Sequence, residues 1–199
     1  QCTSLNALLK GDWSTVRKTW KGKKTLHACQ HKGWLNFAQG NNKKALEYYE
    51  IALKAYRNVE GSQKSFFTGH HGAIYILSLL KDHNTAHIPI IKKYFKEVFS
   101  FGAGNVFVLL KAIVNALQNN NSYAEELFQQ EYIYYNIDGL LYLYTQYWTQ
   151  VFAPNWEKYA YTLHYKSLKN GHFWIAYNIA ALMELISKDK VDYYSKSAK

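Results

Sequence analysis

The chain has 199 residues, 48% of them hydrophobic and 17% aromatic, so it can bury the core of one or two domains. Its 2 prolines and 11 glycines argue against an all-β or linker-rich protein, and no apolar run approaches the roughly 20 residues that span a bilayer. The net charge is +10, and residues 1–64 carry 12 basic against 4 acidic side chains. Such an imbalance is able to attract phosphates, anionic lipid headgroups or an acidic protein, and it is equally typical of a solvated end of a helical array.

Residues 1–24 are predicted to form an N-terminal arm with one short helix from Trp13 to Trp20, which Asp12 can cap. A basic cluster surrounds Trp20, and its members are Arg17, Lys18, Lys21, Lys23 and Lys24. One interpretation is a solvated end of the protein. The other is a contact patch for an acidic partner, with Arg17, Lys21 and Lys24 as candidates. No nucleic-acid-binding motif accompanies the charge, so nucleic acid is not the expected partner.

The two cysteines, Cys2 and Cys29, leave three alternatives open. A disulfide between them would join the arm to the next element in an oxidising compartment. Alternatively, Cys2 followed by Thr3 and Ser4 resembles the lipid-modified cysteine that begins a mature bacterial lipoprotein, after a leader has been removed. The third alternative is that the cysteines have no such role.

Residues 29–56 contain the clearest predicted element, a helical hairpin. Leu35 and Phe37 belong to its first helix, and the second helix repeats apolar residues at steps of three and four, which places them on one face. These residues are Ala45, Leu46, Tyr49, Ala52, Leu53 and Tyr56. The polar break at 39–42 supplies a glycine that tolerates positive φ and asparagines that can cap the second helix.

This hairpin resembles the tetratricopeptide repeat, best over residues 29–57. Gly33, Ala45 and Ala52 match positions where that family packs its helices closely, and Tyr49 matches an aromatic position. The departures are Cys29 where an aromatic is usual, Asn36 where tyrosine is usual, and Arg57 near the usual proline. The resemblance implies stacked helical hairpins with a concave face that binds peptides or proteins.

Three further hairpins are predicted, with helices at 66–80 and 87–99, at 106–117 and 123–131, and at 137–151 and 156–168. In the third hairpin of the chain, Ala112 and Ala124 have the spacing of the small residues in the first. Phe128 lies where the first hairpin has its tyrosine. The repeat pattern therefore recurs, more weakly, at 104–131.

A fifth pair of helices is predicted at 172–186 and 190–198, with the shorter second helix as a C-terminal cap. Residues 171–199 resemble the Sel1-like variant of the repeat through Tyr177, Asn178, Ala180, Tyr194 and Ala198. The resemblance as a whole covers residues 25–199. It implies an all-α fold, a right-handed α-α superhelix (solenoid) of about five hairpins, with an irregular helical bundle as the alternative.

Catalytic and metal-binding patterns are weak, so the chain is predicted to be no enzyme and to carry no cofactor or metal. His83 and His87 have the i,i+4 spacing of zinc ligands, but a predicted helix cap lies between them and no further ligand repeats the spacing. The rings of the adjacent His70 and His71 diverge by about 100° on a helix.

The most distinctive segment is rich in tyrosine, with nine of the 18 tyrosines between Tyr132 and Tyr165. These rings occupy several faces of the predicted helices, so they cannot all point into one core. They either fill the space between helical layers or form a mildly acidic, ring-lined surface that grips a partner. The candidate contacts are Tyr142, Tyr144, Tyr147 and Trp148, together with Asn178 from the Sel1-like segment.

Three functions remain as hypotheses. The preferred one is an adapter that binds a protein or peptide in the bacterial envelope, in the periplasm or anchored at the outer membrane through Cys2; the cytoplasm is the other location. The second is an immunity-type protein that neutralises an acidic toxin. The third is a glycan-binding or hydrolytic protein that uses the aromatic region.

Overall fold

The computed structural model describes residues 2–57, 70–80, 85–99, 105–130 and 134–197, and the regular structure in these ranges is entirely helical. The all-α prediction is therefore confirmed. The α-helices are α1 Cys2–Lys10, α2 Trp13–Trp20, α3 Leu26–Ala38, α4 Asn42–Arg57, α5 His70–Leu80, α6 Ile88–Phe99, α7 Asn105–Ala116, α8 Ser122–Phe128, α9 Asn136–Thr149, α10 Trp156–Lys169 and α11 Phe173–Ser197. A 3-10 turn, Thr85–His87, precedes α6.

The predicted hairpin at 29–56 is present as α3 and α4. Thr25 begins it, because its hydroxyl accepts a hydrogen bond from the Ala28 amide at 3.3 Å. Gly40 ends α3 with φ +77°, as the sequence predicts. The Asn42 side chain donates to the Ser78 carbonyl at 2.9 Å, so it ties α4 to α5.

Residues 1–24 contain the predicted short helix. The helix Trp13–Trp20 and its cap are confirmed, with the Thr15 amide donating to the Asp12 carboxylate at 3.1 Å. A further helix, α1, precedes it. Leu8 on α1 and Val16 on α2 are fully buried and belong to the hydrophobic core cluster.

The three middle hairpins have their helices close to the predicted positions. Ala112, Ala124 and Phe128 are all buried, so the third hairpin presents the same residue positions to the core as the first. The predicted starts and turns at 66–69, 81–84, 100–104 and 131–133 lie outside the described residues.

Six helices form a closed ring. In chain order α1 contacts α3, α3 contacts α5, α5 contacts α7, α7 contacts α9, α9 contacts α11, and α11 returns to α1. Where the last helix returns to the first helices, the indole centroids of Trp34 on α3 and Trp174 on α11 lie 5.6 Å apart. In an open solenoid each repeat contacts only its neighbours. The contact between the first and last helices therefore distinguishes this closed arrangement from an open solenoid.

Helices α2, α4, α8 and α10 flank this ring. α2 packs against α1 and α3, α4 against α3 and α5, α8 against α7, and α10 against α9 and α11. α9 buries nine of its 14 residues, whereas α10 buries four of its 14. The odd-numbered helices are therefore the inner layer.

The predicted fifth hairpin is wrong, because residues 173–197 form one helix of 25 residues. Residues 186–190 contain neither glycine nor proline, so nothing in the sequence stops the helix there. Lys188 instead pairs with Glu184 one turn earlier, across the place where the break was predicted. Within the described ranges, no helix combines the length and the apolar content required to cross a bilayer.

Candidate partner-binding groove

Helix α9 divides the tyrosine-rich segment between two sides of the protein. Successive residues on a helix are about 100° apart, so Tyr142 and Tyr144 point in nearly opposite directions, whereas Tyr144 and Trp148 share one face. Tyr142 is 3% exposed. Its ring centroid lies 5.1 to 5.4 Å from the centroids of Phe128, Tyr134 and Tyr159, which identifies it as a core residue.

Tyr144 and Trp148 face a groove of about 670 Å³ at one end of the helical ring. Its walls come from the turn between α1 and α2, from α3 and α5, and from α9 and α11. The lining residues are Lys10, Gly11, Trp13, Phe37, Ala38, Leu77, Tyr144, Trp148, Phe173, Trp174, Tyr177 and Asn178. Seven of these twelve side chains are aromatic, and they are contributed by four different helices.

The groove has exposed rings at its rim and a fixed polar group inside. Phe173 is 59% exposed and Tyr177 is 72% exposed, so both rings are accessible to a ligand at the rim. The Asn178 amide donates to the Trp174 carbonyl at 2.7 Å, which fixes the side chain. The Tyr144 hydroxyl lies 3.5 Å from the Asn178 side-chain oxygen, a long contact that leaves this oxygen able to accept another donor.

One lysine supplies the positive charge of the groove, and the nearby tyrosine and histidine are neutral. Lys10 is the charged residue among its described lining, so the groove favours an anionic group on its ligand. Burial raises the pKa of Tyr144, which therefore stays a neutral hydrogen-bond donor. Burial, and secondarily the Lys10 charge, lowers the pKa of the nearby His172, so this imidazole stays neutral near pH 7.

The groove thus brings together three of the five candidates from the aromatic and Sel1-like segments: Tyr144, Trp148 and Asn178. Tyr142 borders a different cavity on the other side of α9. Tyr147 is half-buried against the core and is absent from the groove lining.

The basic candidates lie beside the groove. Arg17 donates to the Gln39 side chain at 3.0 Å, and Gln39 directly follows the groove residues Phe37 and Ala38. Lys21 and Lys24 are exposed in the turn between α2 and α3. Residues 13–46 contain eight lysines and arginines and no acidic residue, so this stretch of the chain is strongly positive.

Sequence reasoning missed several groove residues, namely Trp13, Phe37, Phe173 and Trp174. Their shared signal is position, because each lies within three residues of a glycine at a helix end. Gly11, Gly40 and Gly171 all have positive φ and turn the chain there. Aromatic rings beside such turns are carried to the end of the bundle, where a groove can form.

The histidines and cysteines singled out in the sequence form no metal-binding cluster within the described ranges. No group of three histidine, cysteine, aspartate or glutamate side chains there is placed to hold a metal ion, and His83 lies outside those ranges. Cys29 is a free, buried thiol that is 1% exposed. Burial raises the pKa of this thiol, which disfavours the reactive thiolate.

Searches against protein-family models, curated proteins and solved structures find no match to this chain. The resemblance of residues 29–57 to the tetratricopeptide repeat therefore stays a prediction. The groove and its chemistry are the basis for a functional proposal.

Proposed function

We propose that this protein binds a segment of another polypeptide in the groove formed by α1, α3, α5, α9 and α11, and that it is not an enzyme. The observation that carries the proposal is the collection of seven aromatic side chains around one groove, two of them largely exposed. Tyrosine and tryptophan are enriched among the residues that dominate protein–protein binding energies. They supply a large contact area at a small cost in conformational entropy.

The chemistry of the bound segment follows from the polar groups. An apolar or aromatic side chain would enter between Trp148, Phe173 and Tyr177, where burial of its surface provides the main free-energy gain. An acidic side chain or a terminal carboxylate would approach Lys10. The positive surface of residues 13–46 favours acidic residues in the flanking part of the segment.

For the architecture, we propose a closed form of the predicted right-handed superhelix, in which tetratricopeptide-like hairpins complete one turn. The support is the repeated register of the first and third hairpins and the contact of α1 with α11. An adapter in the bacterial envelope, attached through Cys2, is the biological setting proposed with it.

The proposal is tested by selecting binders from a random peptide library displayed on phage and measuring the best ones by fluorescence anisotropy. Tyr177→Ala should weaken binding about tenfold, since truncating an aromatic side chain that a ligand covers costs more than about 1 kcal/mol. The matched control is Tyr161→Ala, because Tyr161 is 66% exposed on α10 and does not line the groove.

We expect the selected peptides to contain aromatic and acidic residues, and the control variant to bind them like the wild type. Because Tyr177 is largely exposed, its truncation should leave the thermal midpoint nearly unchanged, so a loss of binding is not explained by unfolding. A selection without enriched binders, or equal affinities of the two variants, would count against the groove.

The immunity-type function is a more specific version of the same proposal, favoured by the net charge of +10. A single acidic protein bound at nanomolar affinity would support it, whereas micromolar binding of many peptides supports an adapter. In either case, a loss of affinity with Tyr177→Ala and not with Tyr161→Ala shows that the partner binds in the groove.

A glycan is the third candidate ligand, favoured by the exposed rings at the groove rim, because sugars stack on exposed aromatic faces. Binding on a glycan array that Trp148→Ala abolishes would favour this function. Absence of glycan binding by the wild type would exclude it.

A further inference from the structure

A second cavity of about 480 Å³ lies on the other side of α9. It is bounded by the end of α8, the start of α9 and the first three turns of α10. No residue lines both this cavity and the groove. Its lining residues are Phe128, Gln129, Gln130, Tyr134, Tyr135, Tyr142, Ala153, Pro154, Asn155, Trp156, Lys158, Tyr159, Thr162, Leu163 and Lys166.

The deep walls of this cavity are aromatic rings held in place by the core. Tyr134, Tyr142 and Trp156 are each less than 10% exposed. The Tyr159 hydroxyl donates to the Tyr134 carbonyl at 2.7 Å, which fixes this ring across the cavity from α9. Burial raises the pKa of Tyr159, so the hydroxyl remains protonated and keeps this bond. Fixed rings form a preorganised site for a flat apolar group.

The charged residues that line the cavity are both lysines. Lys158 and Lys166 lie eight residues apart on α10, which places them on one face of the helix at the exposed side of the cavity. The Lys166 ammonium lies 4.8 Å from the centroid of the Tyr135 ring, a cation–π contact at the cavity edge. No acidic side chain is among the described lining residues to neutralise the two charges.

We propose that this cavity is a second binding site, specific for a flat aromatic group that carries a carboxylate. The ring would lie against the wall that Tyr142, Trp156 and Tyr159 form, and the carboxylate would meet the ammonium groups of Lys158 and Lys166 at the opening. Asn155 and Thr162 supply neutral polar contacts at the same edge. The site is independent of the peptide groove, since it shares no residue with it.

The test uses three probes of nearly equal shape and different charge: 2-naphthoate, 2-naphthalenemethanol and 2-naphthylmethylammonium. Isothermal titration calorimetry with the wild-type protein should show binding of 2-naphthoate at least about fivefold tighter than the neutral alcohol, and weakest binding of the cation. The preference for 2-naphthoate should shrink as salt is raised, because both lysines are solvent-exposed.

Two kinds of variant locate the site. Lys166→Gln should weaken 2-naphthoate about threefold to tenfold and leave the neutral alcohol within about twofold. Lys169→Gln is the matched control, since it removes an exposed lysine from the same helix outside the cavity lining. Thr162→Tyr should abolish binding of all probes, because an exposed lining residue then fills the cavity.

An aromatic carboxylate can be a free small acid or the C-terminal aromatic residue of a polypeptide. The tetrapeptide Gly-Gly-Gly-Trp with a free C-terminus should bind better than its amide if polypeptide ends are the source. Tighter binding of 2-naphthoate than of this peptide indicates a free acid. Equal affinity for the three naphthalene probes would overturn the proposal. It would also be overturned if Lys10→Gln in the groove abolished 2-naphthoate binding and Lys166→Gln did not.

Discussion

The contact between Gly33 and Tyr49 shows at residue scale why the first hairpin packs so closely. A Cβ atom added to Gly33 would lie 2.7 Å from the Tyr49 ring, a distance that real side chains do not adopt. Tyr49 is fully buried, so its ring cannot move aside into solvent. The absence of a side chain at residue 33 is therefore what allows the ring of α4 to lie against the backbone of α3.

We predict that Gly33→Ala lowers the free energy of unfolding by roughly 1 to 3 kcal/mol, the usual cost of overpacking a core. Alanine favours helices more than glycine does, so a purely local view predicts the opposite sign. Urea denaturation measures the difference. As a control, the double variant Gly33→Ala, Tyr49→Leu should be more stable than the sum of the two single changes indicates, because leucine leaves room for the methyl group. Additive changes in the free energy of unfolding would show that residues 33 and 49 do not interact.

At the scale of helices, the sequence predicts a boundary where it contains residues that end or cap a helix. The boundaries of α3, α4 and α10 follow from Gly40, Pro154 and the asparagines beside them, because these residues disfavour helix or cap its ends. The length of α11 was missed, since the resemblance to a repeat suggested a break that no residue in 186–190 enforces. Helix α1 was missed because its nine residues include neither a long apolar pattern nor an acidic N-terminal turn.

The continuity of α11 leads to a prediction at this scale. Ser187→Pro should raise the amide hydrogen-exchange rates of residues 183–190, since proline removes a backbone donor and clashes with the preceding turn, at a cost of about 3 kcal/mol in a helix interior. Ser187→Ala should leave exchange unchanged or slower, because Ser187 is exposed and alanine is the better helix former. If proline were tolerated without faster exchange, residue 187 would belong to a turn, as the hairpin prediction assumed.

At the scale of the whole molecule, the ring and the groove depend on contacts that sequence patterns do not report. Trp34 and Trp174 meet although 140 residues separate them. Composition and spacing could nominate Tyr144, Trp148 and Asn178, because they lie in segments that are unusual in themselves. The partners that complete the groove, such as Trp13 and Phe37, lie outside the tyrosine-rich and Sel1-like segments. Glycines at the helix ends place them near turns, and the closed arrangement of helices brings those turns together.

Two histidines, His31 and His71, are buried where α2, α3 and α5 meet. The His31 and His71 ring centroids are 4.7 Å apart, and each ring also contacts a tryptophan, Trp20 at 5.0 Å and Trp34 at 5.4 Å respectively. The His31 Nδ1–H donates to the His27 carbonyl at 2.8 Å. Burial lowers the pKa of His31 to about 4 and that of His71 well below its usual value, so both imidazoles are neutral in the folded protein.

We predict that the protein becomes less stable as the pH falls from 7 to 5. The folded state binds protons on His31 and His71 less readily than the unfolded chain, whose histidines have a pKa near 6.5. The free energy of unfolding therefore decreases as the pH falls below this value. At pH 5, about 1.5 units below the unfolded pKa, His31 with its folded pKa of about 4 should lower the free energy of unfolding by roughly 2 kcal/mol, and His71 should act in the same direction. The stabilisation is complete above pH 6.5 and is lost progressively towards pH 4.

Urea denaturation at intervals of half a pH unit measures this dependence. Histidine is the side chain whose ordinary pKa lies between pH 5 and 7, so the slope in this interval reports mainly on histidines. His71→Gln should reduce the slope whatever it does to the stability at pH 7, and His31→Gln should act in the same direction. A stability that is constant between pH 7 and 5, or a slope that His71→Gln and His31→Gln leave unchanged, would show that these histidines take up protons without unfolding, and hence that the junction of α2, α3 and α5 admits water.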